Sequence, residues 1–264
     1  MLVLMRGAGD LATGTALRLH HAGFSLILTE LPQPTAVRRT VAFSDAVYCG
    51  EATVEDVTAR LCRNETEVRA ALRRGEPAVI VDPAAESRTV YRPDVFVDAA
   101  IAKRNLGTHI TDAPLVIALG PGFTAGIDCH CVVETMRGHT LGRCIYEGSA
   151  LPNTGVPGNV GGYTKERVLY TPTAGVFHPL LPIGAMVAAG DVVAEVGGMP
   201  IRAQIAGCLR GILPDGLSVP AGMKAGDVDP RCAQEHCFTV SDKALSIGGG
   251  VLEAILHWHA KQGS

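Results

Sequence analysis

The apolar run Leu2-Val3-Leu4-Met5 passes without a break into Arg6-Gly7-Ala8-Gly9-Asp10-Leu11-Ala12-Thr13-Gly14. A buried strand that enters a glycine-rich turn and then a helix narrows the possible folds more than any other feature of this chain. Doubly wound sheets use that arrangement to aim backbone N–H groups and a helix N-terminus at a phosphate. Gly7, Gly9 and Ala12 keep the G-x-G-x-x-(G/A) spacing, and Glu30 closes a second apolar strand, Leu26-Ile27-Leu28. An acidic side chain at that distance holds a ribose hydroxyl in dinucleotide sites. Asp10 departs from the pattern, because it puts a carboxylate where a pyrophosphate would also sit.

The first hundred residues go on alternating strand and helix signals, the pattern of a parallel sheet. Strands are expected at Leu2–Met5, Ser25–Thr29, Ala46–Cys49, Ala78–Val81, Val95–Val97 and Leu115–Leu119, with helices over Leu11–His21 and Glu65–Arg74. Strand-like segments follow at Cys131–Thr135 and Leu141–Tyr146. The stretch Pro152–Gly162, rich in proline and glycine, can form no regular element. Beyond Arg167 the texture becomes all-β. Ile183–Asp191 and Leu217–Asp227 echo each other, and each resembles one hairpin of a biotinyl/lipoyl-like barrel. At the tip between them, Gly197-Gly198-Met199-Pro200 has no lysine, so neither covalent biotin nor lipoate is expected. A last helix, Val251 to Ala260, should follow a Gly248-Gly249-Gly250 turn. The expected fold is therefore α/β: a Rossmann-like parallel sheet over 1–112 and a central strand and loop region over 113–166. A barrel-sandwich module with a final helix would fill 167–264.

Several segments carry chemistry. On a strand from Asp128 to Thr135, alternation would put Asp128, His130 and Glu134 on one face and Cys129 and Cys131 on the other. That face could take a divalent cation or move protons, and the thiols could bind soft metal; packed inward, they are simply small hydrophobes. No second ligand pair lies at metal spacing, so no metal site is assigned. Arg137 and His139, on a glycine-bearing turn, are candidates for anion binding and acid–base work. Asp227, Asp229 and Arg231 form either a paired ion site or a salt-bridged turn. Lys243, ahead of the expected glycine turn and helix, suits an anion site. Arg38-Arg39 and Lys103-Arg104 read as loop cations that could contact phosphate, with a solvated surface as the default.

Bulk properties narrow the classes further. A net charge of -3 gives no basic footprint, which argues against nucleic acid. No apolar stretch is long enough to span a bilayer. Met1 leads directly into a strand with no charged, cleavable leader, so a cytoplasmic protein is expected, with its 8 cysteines reduced.

Arg6–Gly14, Arg38–Val41, Gly120–Gly126, Glu134–His139, Pro152–Thr164, Gly226–Arg231 and Cys237–Glu253 together resemble the YqeB-type accessory proteins of the selenium-dependent molybdenum hydroxylase system. The resemblance covers essentially the whole chain. It implies a maturation factor that binds a nucleotide or a molybdopterin dinucleotide and assists selenium or cofactor insertion. The implied partners are a client molybdenum hydroxylase and a selenium donor, and a homo-oligomer is compatible with it. Carried over residue by residue, the resemblance marks Gly7, Gly9, Asp10, Gly14, Gly120, Gly122, Glu134, Arg137, Gly138, His139, Asp227, Asp229, Arg231, Cys237, Ser241, Asp242 and Lys243. Of these, Gly7, Gly9, Asp10, Gly14, Gly120, Gly122, Arg231 and Lys243, with Ala12 and Glu30, would contact the cofactor. Asp10, Arg137, His139 and Cys237 would carry the chemistry, Cys237 as a transient selenium carrier. Two other classes fit the residues: an NAD(P)-linked oxidoreductase with a β-rich lid, and a non-catalytic chaperone docking its client through the β module.

Overall fold

The computed structural model describes residues 1–262, which group into two compact units. The first comprises Met1–Pro34, Ala42–Thr154 and the chain from Val240 onward; the second comprises Thr35–Val41 and Gly155–Thr239. The central region and the last helix thus fold with the N-terminal sheet, and the chain does not form three consecutive blocks.

The first unit is built on β1 (Leu2–Arg6), α1 (Asp10–His21), β2 (Ser25–Glu30), α2 (Ala46–Cys49), β3 (Glu51–Val54), β4 (Val57–Leu61), α3 (Glu65–Arg73), β5 (Ala78–Val81), α4 (Arg88–Tyr91), β6 (Val95–Asp98) and β7 (Leu115–Leu119). The short strands β8 (Thr124–Ala125), β9 (Cys131–Val133), β10 (Cys144–Ile145) and β11 (Gly148–Ser149) follow, and α5 (Asp242–Gln262) completes it. Nine strands form one sheet in the order β10-β9-β7-β6-β1-β2-β5-β4-β3. Its middle is parallel, while the β3–β4 and β9–β10 pairs at its margins are antiparallel.

The Rossmann-like parallel sheet is therefore corrected to a mixed one. The crossovers also depart from the doubly wound plan. Residues 99–114, between the adjacent parallel strands β6 and β7, contain no helix. The missing cover comes from the far end of the sequence, since α5 packs on α1, β7, β9 and β10.

Small residues make that packing possible. A Cβ on Gly14 would stand 2.5 Å from the Ala244 Cβ, and one on Gly248 would stand 2.9 Å from the Gly14 carbonyl oxygen. Gly248, Gly249 and Gly250 thus lie inside a helix that starts at Asp242, and the expected glycine turn does not exist. Ala46–Cys49 is likewise a helical turn, ended by Gly50 at φ 86°, with the strand beginning at Glu51. Glycine at that left-handed position stops the helix without steric cost.

In the second unit, β12 (Val168–Tyr170), β13 (Gly175–Pro179), β14 (Met186–Val187), β15 (Val192–Val196), β16 (Met199–Arg202), β17 (Gly207–Ile212), β18 (Ser218–Val219) and β19 (Lys224–Asp229) make two sheets. Their orders are β12-β19-β17-β14 and β16-β15-β13-β18, and all pairings are antiparallel. This replaces the expected biotinyl/lipoyl-like barrel-sandwich. The echoing stretches each give a two-residue strand, a turn and a longer strand, and their glycines set turns instead of closing a barrel. At the former tip, Gly197 (φ 55°) and Gly198 (φ 79°) make the two-residue hairpin loop between β15 and β16. One core, including Leu169, Phe177, Val193, Leu209, Ile212 and Val228, draws on both sheets.

Candidate functional site

Parallel strands deliver their carboxyl ends to one edge of a sheet, and ligand-facing loops collect there. In the first unit this edge gathers the Gly7–Asp10 turn after β1, Glu30 at the end of β2 and Asp98 at the end of β6. It also gathers Gly120–Gly122 after β7 and the Glu134–His139 segment after β9. The sequence motifs converge here because every strand that carries one runs the same way.

The opening turn is held from several sides. Gly7 has φ 99°, and a Cβ there would meet the Ala99 carbonyl oxygen at 3.0 Å, so the fold itself requires glycine. Its N–H donates to the Thr29 carbonyl (2.8 Å), and the Ala8 carbonyl accepts from the Ser44 N–H (2.8 Å) and the Thr13 hydroxyl (3.1 Å). Gly9 is different. It caps α1 at φ -72°, ψ -175°, an extended conformation open to any residue, and a Cβ there would meet nothing within 4 Å. A glycine the backbone does not need, facing open space at a helix N-terminus, leaves a cradle where a ligand can approach the main chain. The first-turn N–H groups of α1 have no intrahelical acceptors and point the same way.

Glu30 lies beside this cradle. Its Oε2 accepts the Ala8 N–H at 2.9 Å and its Oε1 accepts the Leu31 N–H at 2.8 Å, so the carboxylate ties the glycine turn to the end of β2. Burial pushes its pKa above the ordinary value, and the two backbone bonds pull partway back. Each oxygen keeps a lone pair for a hydroxyl donor. Thr29 Oγ1, buried next in sequence, has no protein partner among the described residues. Asp10 occupies the first turn of α1, half-buried, and Ala12 is buried in the same turn.

Next to the turn runs the helix-free crossover. Ile101 (φ 54°) and Lys103 (φ 61°) both adopt left-handed backbone, which is uncommon for side chains of this kind. Thr108 donates to Asp98 Oδ2 at 2.6 Å and Asn105 Nδ2 to Asp128 Oδ1 at 3.2 Å, and these bonds hold the loop down. Gly122 presses against it, since a Cβ there would stand 2.6 Å from the Arg104 Cα and N. The result is an exposed pair of cations, Lys103 and Arg104, presented at the same edge.

Other expected site residues have structural work. Gly14 packs against α5, and Gly120 is pressed against the Thr135 hydroxyl, so neither faces a ligand. Asp128, His130 and Glu134 share no face. Only Cys131–Val133 is strand; Asp128 accepts the Thr124 N–H, His130 Nδ1 accepts the Val116 N–H, and buried Glu134 accepts the Met136 and Leu151 N–H groups. Burial lowers the His130 pKa and pushes the Cys129 thiol up to about 12. Among the described residues no three His, Cys, Asp or Glu side chains converge to hold a metal.

Arg137 is engaged in a fork to Asp242 in the first turn of α5, at 2.7 and 3.0 Å. His139 is exposed, and Lys243 lies half-buried in the same helical turn as Asp242. Arg231 and Cys237 belong to the second unit. Arg231 binds both oxygens of Asp229 (2.9 and 2.6 Å), and Arg167 pairs with Asp227, so this motif is an ion-paired turn. Cys237 is fully buried, and burial with a neighbouring thiol pushes it up to about 12, the state of a resting thiol and not of an accessible thiolate.

Comparison with known proteins gives one near relative. Over 255 residues, 97% of this chain and 47% of the other, it is 52% identical to the uncharacterized protein YqeB of Escherichia coli (strain K12). The chain spans about half the length of that relative. No family model matches. Solved structures with weak similarity include an aspartoacylase family protein from Mesorhizobium loti (14% identity, TM-score 0.28, covering 86% of this chain and 84% of that one). Another is the ectoine utilization protein EutE (DoeB) of Ruegeria pomeroyi (13%, TM-score 0.26, with the same coverage). Likeness at that level bears on neither fold nor activity. Among the described residues no helix is long and apolar enough to cross a membrane.

Proposed function

We propose, for a chain related to YqeB over nearly its whole length, that it is an accessory protein holding a pyrophosphate-bearing nucleotide at the carboxyl edge of its mixed sheet. The observation that carries this reading is Gly9: its backbone is extended, its missing Cβ faces open space, and α1 begins there. The phosphates would lie over Gly9 and the first-turn N–H groups. Glu30 would accept a ribose hydroxyl, and Lys103 and Arg104 would offset the anionic charge of the phosphates. The motif resemblance favours a molybdopterin dinucleotide as the ligand and a molybdenum hydroxylase as the client, with the protein assisting cofactor or selenium insertion.

Thermal shift against NAD, NADP, ATP, CTP and GTP tests the ligand class, because a ligand that binds only the native state raises the melting temperature. Stabilisation by pyrophosphate-bearing compounds, and none by adenosine or cytidine alone, is the expected result. Equal response to nucleosides, or no response to any nucleotide, would remove the proposal.

A further inference from the structure

Cys208 and Cys237 are both completely buried in the second unit, with their sulfur atoms 3.4 Å apart. Cys208 is on β17, an interior strand paired to β14 on one side and β19 on the other, so its backbone is fixed. Cys237 ends a 3-10 turn, Gln234–Cys237, that rests on β17. Around this turn Arg231, Cys232, Gln234, Glu235, Phe238 and Thr239 are exposed, so a small local opening brings Cys237 to solvent.

We propose that Cys208 and Cys237 are a redox pair that closes to an intramolecular disulfide by exchange with low-molecular-weight disulfides, clamping the 234–239 segment onto β17. In the exchange, Cys237 attacks one sulfur of the small disulfide and expels one thiol. Cys208 then attacks the Cys237 sulfur and expels the second. The protein sulfurs lose two electrons and the small disulfide gains them; the two protein thiol protons end on the two released thiols. Closure shortens the sulfur separation from 3.4 Å to about 2.05 Å, a movement within reach of a four-residue turn.

The surroundings favour a clamp over a fast catalyst. The His236 carbonyl next to Cys237 accepts from both Arg38 (3.0 Å) and Arg210 (3.3 Å), and the Cys237 carbonyl accepts from the Thr40 hydroxyl. These bonds hold the turn on the strand, and the two guanidiniums favour negative charge on Cys237 as it gives up its proton to attack. At rest Cys208 Sγ donates to the Gly184 carbonyl and Cys237 Sγ to the Leu209 carbonyl.

The test equilibrates the full chain in glutathione buffers of graded ratio, quenches in acid and maps the cysteines by mass spectrometry. Exposed Cys49 and Cys232 are replaced by serine to suppress mixed disulfides. A cross-linked peptide joining residues 208 and 237, lost on reduction, is expected. Proteolysis within 231–239 should slow by on the order of tenfold in the oxidised form, and Cys208→Ser should abolish both effects. The unsubstituted chain is mapped in parallel, so the result does not hang on variants that must fold. Free, alkylatable Cys208 and Cys237 in excess oxidised glutathione, or a disulfide joining other cysteines, would overturn the proposal.

Discussion

Arg6 shows how much one side chain can organise. It is nearly buried at the end of β1, where Nε and Nη2 donate to the Pro83 carbonyl and Nη1 donates to the Leu106 carbonyl, with Asp98 at 3.7 Å. Two loops of the carboxyl edge and the end of β6 are therefore gathered on one guanidinium. Replacing it leaves a buried carboxylate and two carbonyls short of a partner, so Arg6→Met should cost about 3 kcal/mol in urea denaturation. Arg6→Lys should recover little, because an ammonium cannot serve the same fork.

Asp229 makes the corresponding statement for the second unit. Burial raises its pKa, but hydrogen bonds and charge from Arg231 and then Arg210 outweigh burial and hold it below 3.8. A carboxylate with a depressed folded pKa stabilises above its unfolded value, and that contribution disappears as pH falls through the folded one. Asp229→Asn should therefore be destabilised at pH 7 by about 2–3 kcal/mol, the low end for a buried pair because Arg231 is 44% exposed. The gap from the parent chain should close below pH 3.8, read by urea melts at several pH values.

At the scale of elements, the decisive contact is α5 on α1. Glycine inside a helix costs about 1 kcal/mol against alanine, which is why three consecutive glycines read as a turn in the sequence. Two of them are close-approach positions: Gly248 lies against α1, and Gly250 against the Gly142 carbonyl and Val133. Gly248→Val should therefore lose about 1–3 kcal/mol by overpacking. Gly249 is exposed with nothing within 4 Å of its Cβ position, so Gly249→Ala should gain about 0.5–1 kcal/mol. Thermal melts of the two variants should move in opposite directions.

Across the whole molecule, local signals in the sequence located what depends on local chemistry. The strand Leu2–Arg6, the glycine turn and the strand ending at Glu30 are legible because an apolar run, positive-φ glycine and helix entry lie within a few residues of each other. What escaped is long-range. That α5 substitutes for the crossover helix missing between β6 and β7 depends on packing across more than a hundred residues. Gly14 and Gly120 match a phosphate motif but serve backbone contacts that no spacing rule reveals. The approach of Cys237 to Cys208, and the Arg6 staple, likewise exist only once segments distant in sequence meet. Part of the site was legible, since Gly7, Gly9 and Glu30 do meet at one edge.

Whether this edge takes a pyrophosphate over Gly9 is read most directly from Gly9→Leu. The backbone at Gly9 accepts any residue and its Cβ position is open, so leucine there costs only the poorer N-cap, about 1 kcal/mol, and the unliganded variant should melt within about 4 °C of the parent. Calorimetric titration of both proteins with the most stabilising dinucleotide should then show binding to the parent and on the order of hundredfold weaker binding to Gly9→Leu, where the side chain fills the approach to the main chain. Equal affinity in the two proteins would return the turn to a purely structural role.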